Sequence, residues 1–194
     1  MRRVILHEFV SLDALAAGPI DSVDFIPAST RGDESFGPEQ MVLINSIDTL
    51  LLGSVTYRLF AGYWPNVKEG KEKAFADKFN AAHKIVFSKT LDKAPWGTWE
   101  PATIVRNSAA DEVPKLKRKS GKDMVIFGSI SVAQALMAER MIDEYRLVVC
   151  PVVLGSGRPL FADNSRPLNM QLMSGKVLDR GGVLLKYSDR DAKS

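Results

Sequence analysis

The 194-residue sequence contains one cysteine, Cys150, and only two histidines, His7 and His83. A lone cysteine in an apolar run has no partner for a disulfide within the chain, which suits a reducing compartment. One cysteine and two histidines are too few for a zinc cluster of the usual spacing, and no metal is expected. No G-x-S-x-G nucleophile elbow is present, so a Ser-His-Asp site lacks its usual setting. His7 falls in the middle of a strand-like run and reads as a packed histidine rather than a base. Long apolar runs are also missing: Leu147 to Leu154 is interrupted by Pro151 and is far shorter than the roughly 20 residues of a spanning helix. Glu8 and Asp13 break the N-terminal apolar segment, so no signal peptide is expected. Charge of one sign is scarce, with 26 Lys and Arg against 23 Asp and Glu, net +3. The densest basic stretch, Lys115 to Lys122, reads as a solvated helix end and turn, and nucleic acid is not an expected partner. These absences together predict a soluble, cytoplasmic protein with no membrane partner.

What remains is an ordinary globular composition, 45% hydrophobic and 25% charged, long enough for one domain over residues 1–194. Strand and helix patterns alternate without repeats or a linker. Val4–Val10, Thr49–Leu52, Ile85–Phe87, Thr103–Val105, Val125–Phe127 and Tyr145–Val153 read as strands. Helices are expected from Gly37-Pro38, over Ser54–Phe60 and Glu69–Ala82, after Ser108, and after Gly128-Ser129. Ser131 and Gln134 have capping-box spacing. Leu168–Ser188 reads as a hairpin turning at Gly181-Gly182, and Pro19–Gly37 as a long polar connection. The alternation predicts an α/β fold with a mainly parallel sheet, helices on both faces and antiparallel C-terminal strands. Ligands of such sheets bind beyond the carboxyl ends of the strands. Small and polar residues collect there: Ser11-Leu12-Asp13, Gly53-Ser54 with Thr56, Ser88-Lys89, Gly128-Ser129, and Gly155-Ser156-Gly157-Arg158. A glycine-bearing turn that ends a strand and opens a helix, as Met124–Leu136 does, leaves backbone N–H groups free to hold a phosphate.

Several segments in order carry a resemblance: Val10–Gly18 (VSLDALAAG), Leu50–Tyr57 (LLLGSVTY) with Tyr63-Trp64-Pro65, Lys84–Lys89 (KIVFSK), Val125–Ser129 (VIFGS), and Ile142–Tyr145 (IDEY) running into Pro151–Phe161 (PVVLGSGRPLF). The chain resembles the dihydrofolate reductase-like superfamily, specifically the riboflavin biosynthesis reductase branch (the RibD C-terminal domain), over nearly its whole length. The resemblance implies a three-layer dihydrofolate reductase-like fold, NADPH as cofactor, and hydride transfer to a C=N or C=O of a small heterocyclic or sugar-derived substrate. It places Gly53, Ser54 and Thr56 at the cofactor pyrophosphate, and Ser88 and Lys89 by the adenosine ribose and its 2′-phosphate. Phe127, Gly128, Ser129, Ile130 and Ser131 would form a second phosphate turn beside the nicotinamide, with Ala16 and Ala17 in the covering loop. Asp13 falls at the position of the branch's active-site aspartate and is the catalytic candidate, although an aspartate at a strand end also caps turns. Ser11, Glu39, Trp64, Pro151, Gly155, Gly157 and Arg158 would border the substrate. Glu39 lies on the helix that carries the substrate acid in dihydrofolate reductases; its charge also suits a helix N-terminus. Trp64 is a ring-binding residue or a packed corner of the core. The resemblance further implies a homodimer.

The chain departs from the family pattern at three turns. Ala14 stands where glycine is usual, so a turn needing φ > 0 would be strained or reshaped. Ser129 replaces the second of two glycines. Ser54 replaces a phosphate-neutralising arginine, leaving Lys89, Arg58 or Arg106 for that task. Alternatives are therefore reduction of a ribosylaminopyrimidine phosphate to its ribityl form, dihydrofolate reduction, or a nicotinamide nucleotide-binding protein without turnover.

Overall fold

The computed structural model describes residues 1–161 and 167–191. In chain order its elements are β1 (Val4–Val10), β2 (Leu15–Ala17), α1 (Phe25–Thr30), α2 (Phe36–Ser46), β3 (Ile47–Gly53), α3 (Ser54–Tyr63), α4 (Lys73–Ala81), β4 (His83–Phe87), β5 (Thr103–Val105), α5 (Ala109–Lys117), β6 (Asp123–Phe127), α6 (Ile130–Ala138), β7 (Glu144–Val149), β8 (Arg158–Pro159), β9 (Met170–Val177) and β10 (Val183–Asp189). The main sheet has the order β5-β4-β3-β6-β1-β7-β10-β9. The first six of these strands are parallel, and β10 runs antiparallel to both of its neighbours. This is the α/β, dihydrofolate reductase-like architecture that the alternating pattern and the resemblance predict.

The apolar runs explain why the sheet forms. All seven residues of β1 are buried, and side chains alternate between two faces. Ile5 and Phe9 join Leu50, Leu52, Val125 and Phe127 in one core layer. Leu6 and Val10 join Leu51, Ile126, Val132 and Leu136 in the other. Burial on both faces is what a continuous Val/Ile/Leu run encodes in a parallel sheet. Ser108 caps α5, its hydroxyl accepting from the Asp111 N–H at 3.1 Å. The β9–β10 hairpin turns at Gly181, at φ +81°.

Several boundaries differ from the sequence expectation. The long connection 19–37 holds α1 and the start of α2, which opens at Phe36 with Pro38 third. The strand expected over Tyr145–Val153 stops at Val149, before Pro151. The helix expected over Glu69–Ala82 covers Lys73–Ala81. The Ser131–Gln134 capping box does not form, because the Gln134 amide instead donates to the carbonyls of Pro159 (3.0 Å) and Leu160 (3.2 Å). Ala16 and Ala17, expected in a loop, form β2 and pair with β8 in a small second sheet. Among the described residues, no helix is long and apolar enough to cross a membrane.

Candidate functional site

Because β1, β3, β4, β5, β6 and β7 are parallel, the turns that follow them open on one rim of the sheet. The turns after β3 and β6 touch. The Gly53 N–H donates to Ser129 Oγ at 3.0 Å, and the Ser129 N–H donates to Thr56 Oγ1 at 3.1 Å. Gly128 and Ser129 both take left-handed conformations, at φ +63° and +62°, and every peptide bond here is trans. A Cβ on Gly128 would lie 3.3 Å from Thr56 Cγ2, and one on Gly53 would lie 3.5 Å from Ser131 Oγ. The glycines thus allow α3 and α6 to start side by side. Each start presents first-turn N–H groups without intrahelical acceptors, at Ser54, Val55 and Thr56 on one and Ile130 and Ser131 on the other. Two aligned helix N-termini with serine and threonine hydroxyls form a polar, anion-favouring cradle.

Further along the rim, the half-buried Ser88 turns its hydroxyl back to the N–H groups of Thr90 and Leu91. The Arg106 guanidinium donates to the Ser88 carbonyl at 3.0 Å, which sets it beside exposed Lys89 as a basic corner. Arg106 also has Asp92 at 3.9 Å, and both side chains are largely exposed, so that pair adds little.

On the other side of the cradle, Asp13 ties two loops together. Its carboxylate accepts from Ser11 Oγ (2.6 Å), Gly155 N (2.8 Å) and Leu154 N (3.1 Å). These bonds, the Ser11 hydroxyl first, draw its pKa down to about 2. Asp13 is therefore ionised at neutral pH and acts as an acceptor, not as a proton source. Ser11 also accepts from Leu15 N at 3.0 Å, so one serine organises both arms of the turn. Ala14 sits at its tip with φ +60°, the left-handed geometry for which glycine is usual. Gly157 is required where β8 meets β2: a Cβ there would lie 2.1 Å from the Ala17 carbonyl oxygen.

The remaining substrate-side expectations separate. The Glu39 carboxylate meets Lys176 (3.2 Å), Arg146 (3.3 Å) and Lys186 (3.4 Å). Burial pushes its pKa up, but the Lys176 hydrogen bond and the Lys186 and Arg146 charges outweigh burial and hold it below the usual range. Glu39 is committed to these cations on the side of α2 toward the hairpin. Trp64 packs against Phe75 and Phe79 with ring centroids 5.1 and 5.0 Å away, a corner of the aromatic core. Arg158 pairs with Asp21 at 3.1 Å. Pro151 is exposed, on the turn that follows β7.

The family profile described as RibD C-terminal domain matches residues 2–184. The chain belongs to the RibD C-terminal domain family. The Bacillus subtilis (strain 168) protein described as uncharacterized protein YyaP is 31% identical over 188 residues, covering 96% of this chain and 94% of the relative. A structure described as a putative riboflavin biosynthesis protein from Shewanella sp. PV-4 superposes with TM-score 0.72 at 19% identity, over 97% of this chain and 99% of that one. Dihydrofolate reductase from Enterococcus faecalis, in a complex with NADP(H), gives TM-score 0.63 at 13% identity, over 97% of each chain. Both structural likenesses bear on the fold.

Within this RibD C-terminal domain, three polar side chains are buried at the sheet: His7, which the sequence placed as a packed histidine, and Glu8 and Lys84, whose burial it did not indicate. His7 is fully buried between Phe9 and Phe127, with Gln40 Nε2 at 3.1 Å from its Nε2; burial, then the Arg146 charge, hold its pKa well below the ordinary value. Lys84 is buried against the Trp96 ring at 5.2 Å and donates to the Asn80 carbonyl at 2.7 Å. Glu8, 3% exposed, has its pKa pushed up to about 8 by burial. His7 and Glu8 break an apolar run, Lys84 stands at the start of one, and that was the one signal available. Such a break says that a polar group is unusual, not what it faces.

Proposed function

We propose that this chain is an NADPH-dependent reductase that transfers a hydride to a C=N or C=O of a small heterocyclic or sugar-derived substrate. The observation that carries the reading is the contact between the α3 and α6 starts, where Gly53, Thr56, Gly128 and Ser129 bond or abut one another. Two adjoining N-termini suit the two phosphates of a dinucleotide better than a single phosphate. In this reading Ser54, Thr56, Ile130 and Ser131 hold the pyrophosphate, and Ser88, Lys89 and Arg106 take the 2′-phosphate. Ser129 Oγ, already an acceptor for Gly53, fixes the turn instead of contacting the ligand directly. Ala16 and Ala17 cover the nicotinamide, held in β2 by the close β8 approach at Gly157. When bound, the reduced nicotinamide supplies the hydride.

Asp13, fixed as a carboxylate, holds the loops that border the substrate and offers its remaining lone pairs to a substrate N–H. Glu39, surrounded by three cations, is not available to a pterin amidine, which disfavours dihydrofolate as substrate. A homodimer is part of the reading. Its contact surface would be the exposed edge strand β9, where Leu172, Met173 and Val177 are 55%, 63% and 74% exposed; a monomeric mass by light scattering would remove that element. The cofactor reading is tested by titration with NADPH and NADH while nicotinamide fluorescence is followed. NADPH is expected to bind, and more tightly than NADH. Absence of a response to either would sink the proposal.

A further inference from the structure

The pairing of β1 with β6 ends before β1 does. Its last partners are His7 and Phe127, and the Gly128 N–H donates to the His7 carbonyl at 3.2 Å. β1 continues to Val10, still paired with β7. Peptide groups alternate in direction along a strand. The His7 carbonyl faces β6, whereas the Val10 carbonyl faces β7 and accepts from Cys150 N at 2.7 Å. Phe9 shares the parity of His7, so its N–H points to the β6 side, past the last paired residue. Among the described residues no strand carbonyl meets it there. Its acceptor is Oε1 of the preceding residue, Glu8, at 3.1 Å. The Glu8 carboxyl therefore folds over the edge of β1 that opens beside the Gly128-Ser129 turn. Its second oxygen, Oε2, is buried and has no partner among the described residues. An acid with one unclaimed oxygen, placed where the strands separate under the α6 start, is a hydrogen-bonding group in need of an occupant.

We propose that Glu8 is a cofactor-positioning residue: as the neutral acid it donates its free O–H to the carboxamide carbonyl of the nicotinamide, a role that rests on the cofactor reading above. Burial raises the carboxyl to about 8, and the Phe9 N–H lowers it only in part, so the acid keeps its proton at neutral pH. The ionisable groups around it do not change that assignment. On the loop after β1, the Asp13 carboxylate is turned to Leu154 and Gly155. On β7, Tyr145 answers to burial and to Asp189, Arg140 and Asp143. His7, and Arg146 paired with it across β1 and β7, project from the opposite face. Asp123 lies at the far end of β6, where it pairs with Arg3. Above pH 8 the donor becomes a carboxylate facing a carbonyl, and the nicotinamide end of the cofactor loses its anchor.

The test measures dissociation constants for NADPH and for adenosine 2′,5′-bisphosphate, which lacks the nicotinamide, across neutral to alkaline pH. It uses the wild-type protein, Glu8→Gln and Glu8→Ala. Loss of one net hydrogen bond is worth roughly tenfold in affinity. Wild-type NADPH affinity should fall about tenfold through pH 8. Glu8→Gln, whose amide also donates, should keep the neutral-pH affinity throughout. Glu8→Ala should be about tenfold weaker and independent of pH. The bisphosphate should bind all three alike. A flat wild-type profile, a Gln variant as weak as the Ala variant, or parallel loss of the bisphosphate would overturn the assignment. If the wild-type protein binds the bisphosphate but NADPH no more tightly, the Glu8 role fails and the phosphate cradle stands. If it binds neither, both fail.

Discussion

Glu8→Gln should stabilise the fold by an amount that grows with pH. The group is buried in β1, and its pKa rises from an ordinary 4.5 to about 8 in the folded chain. Between these values the folded state holds a proton that the unfolded state has released, so stability falls as pH rises. Each pH unit in this window costs about 1.4 kcal/mol. By neutral pH the group has removed about 3 kcal/mol, and above pH 8 about 5 kcal/mol, beyond which the loss levels off. Glutamine keeps the shape and does not titrate, and the other groups cancel in the comparison. Urea unfolding of both proteins from about pH 5 to about pH 8.5 reads the difference directly. It should be near zero at the acid end and should widen steadily in favour of the variant. A difference that stays constant with pH would refute the claim that this carboxyl is protonated in the native chain.

Three other substitutions probe the turns around the site and the ion cluster at Glu39. Gly157→Ala places a Cβ against the Ala17 carbonyl and should destabilise the β2–β8 pair by about 2–4 kcal/mol, read by thermal unfolding, with weaker NADPH binding. Ala14→Gly relieves a left-handed alanine and should raise stability by up to about 1 kcal/mol in the same assay. Arg146→Ala removes a buried guanidinium from Glu39 and should cost about 3 kcal/mol in urea unfolding, because Lys176 and Lys186 only partly replace it. An Arg146→Ala protein as stable as wild type would show that the cluster does not hold α2 to the sheet.

The parallel strands and the junctions after them were readable because they are local. Buried strands such as Leu50–Leu52 and Val125–Phe127 end at glycine, and the helices that follow carry Ser or Thr in their first turns. Those patterns placed Gly53, Thr56, Gly128 and Ser129 on one rim, and the structure joins Gly53, Ser129 and Thr56 by hydrogen bonds, with Gly128 set against Thr56. The Asp13 bonds to Leu154 and Gly155 were not readable, because those partners lie 141 and 142 residues away. The ion cluster at Glu39 has the same origin: a helix residue meets cations from three later strands, 107 to 147 positions on. Arg146 interrupts a strand and carried no local reason to suspect a partner. β2 and β8 are too short for periodicity to reveal. Gly157 was visible only as a glycine in a glycine-rich turn, and its need for a bare Cα comes from a neighbour in space.

Amide hydrogen–deuterium exchange with and without saturating NADPH tests the central claim most directly. The account predicts slowed exchange in two short stretches, the first turns of α3 and α6 around residues 54–56 and 130–131, with a smaller effect near Ala16 and Ala17. Protection confined to other surfaces, or none at saturation, would contradict a dinucleotide cradled between those helix starts.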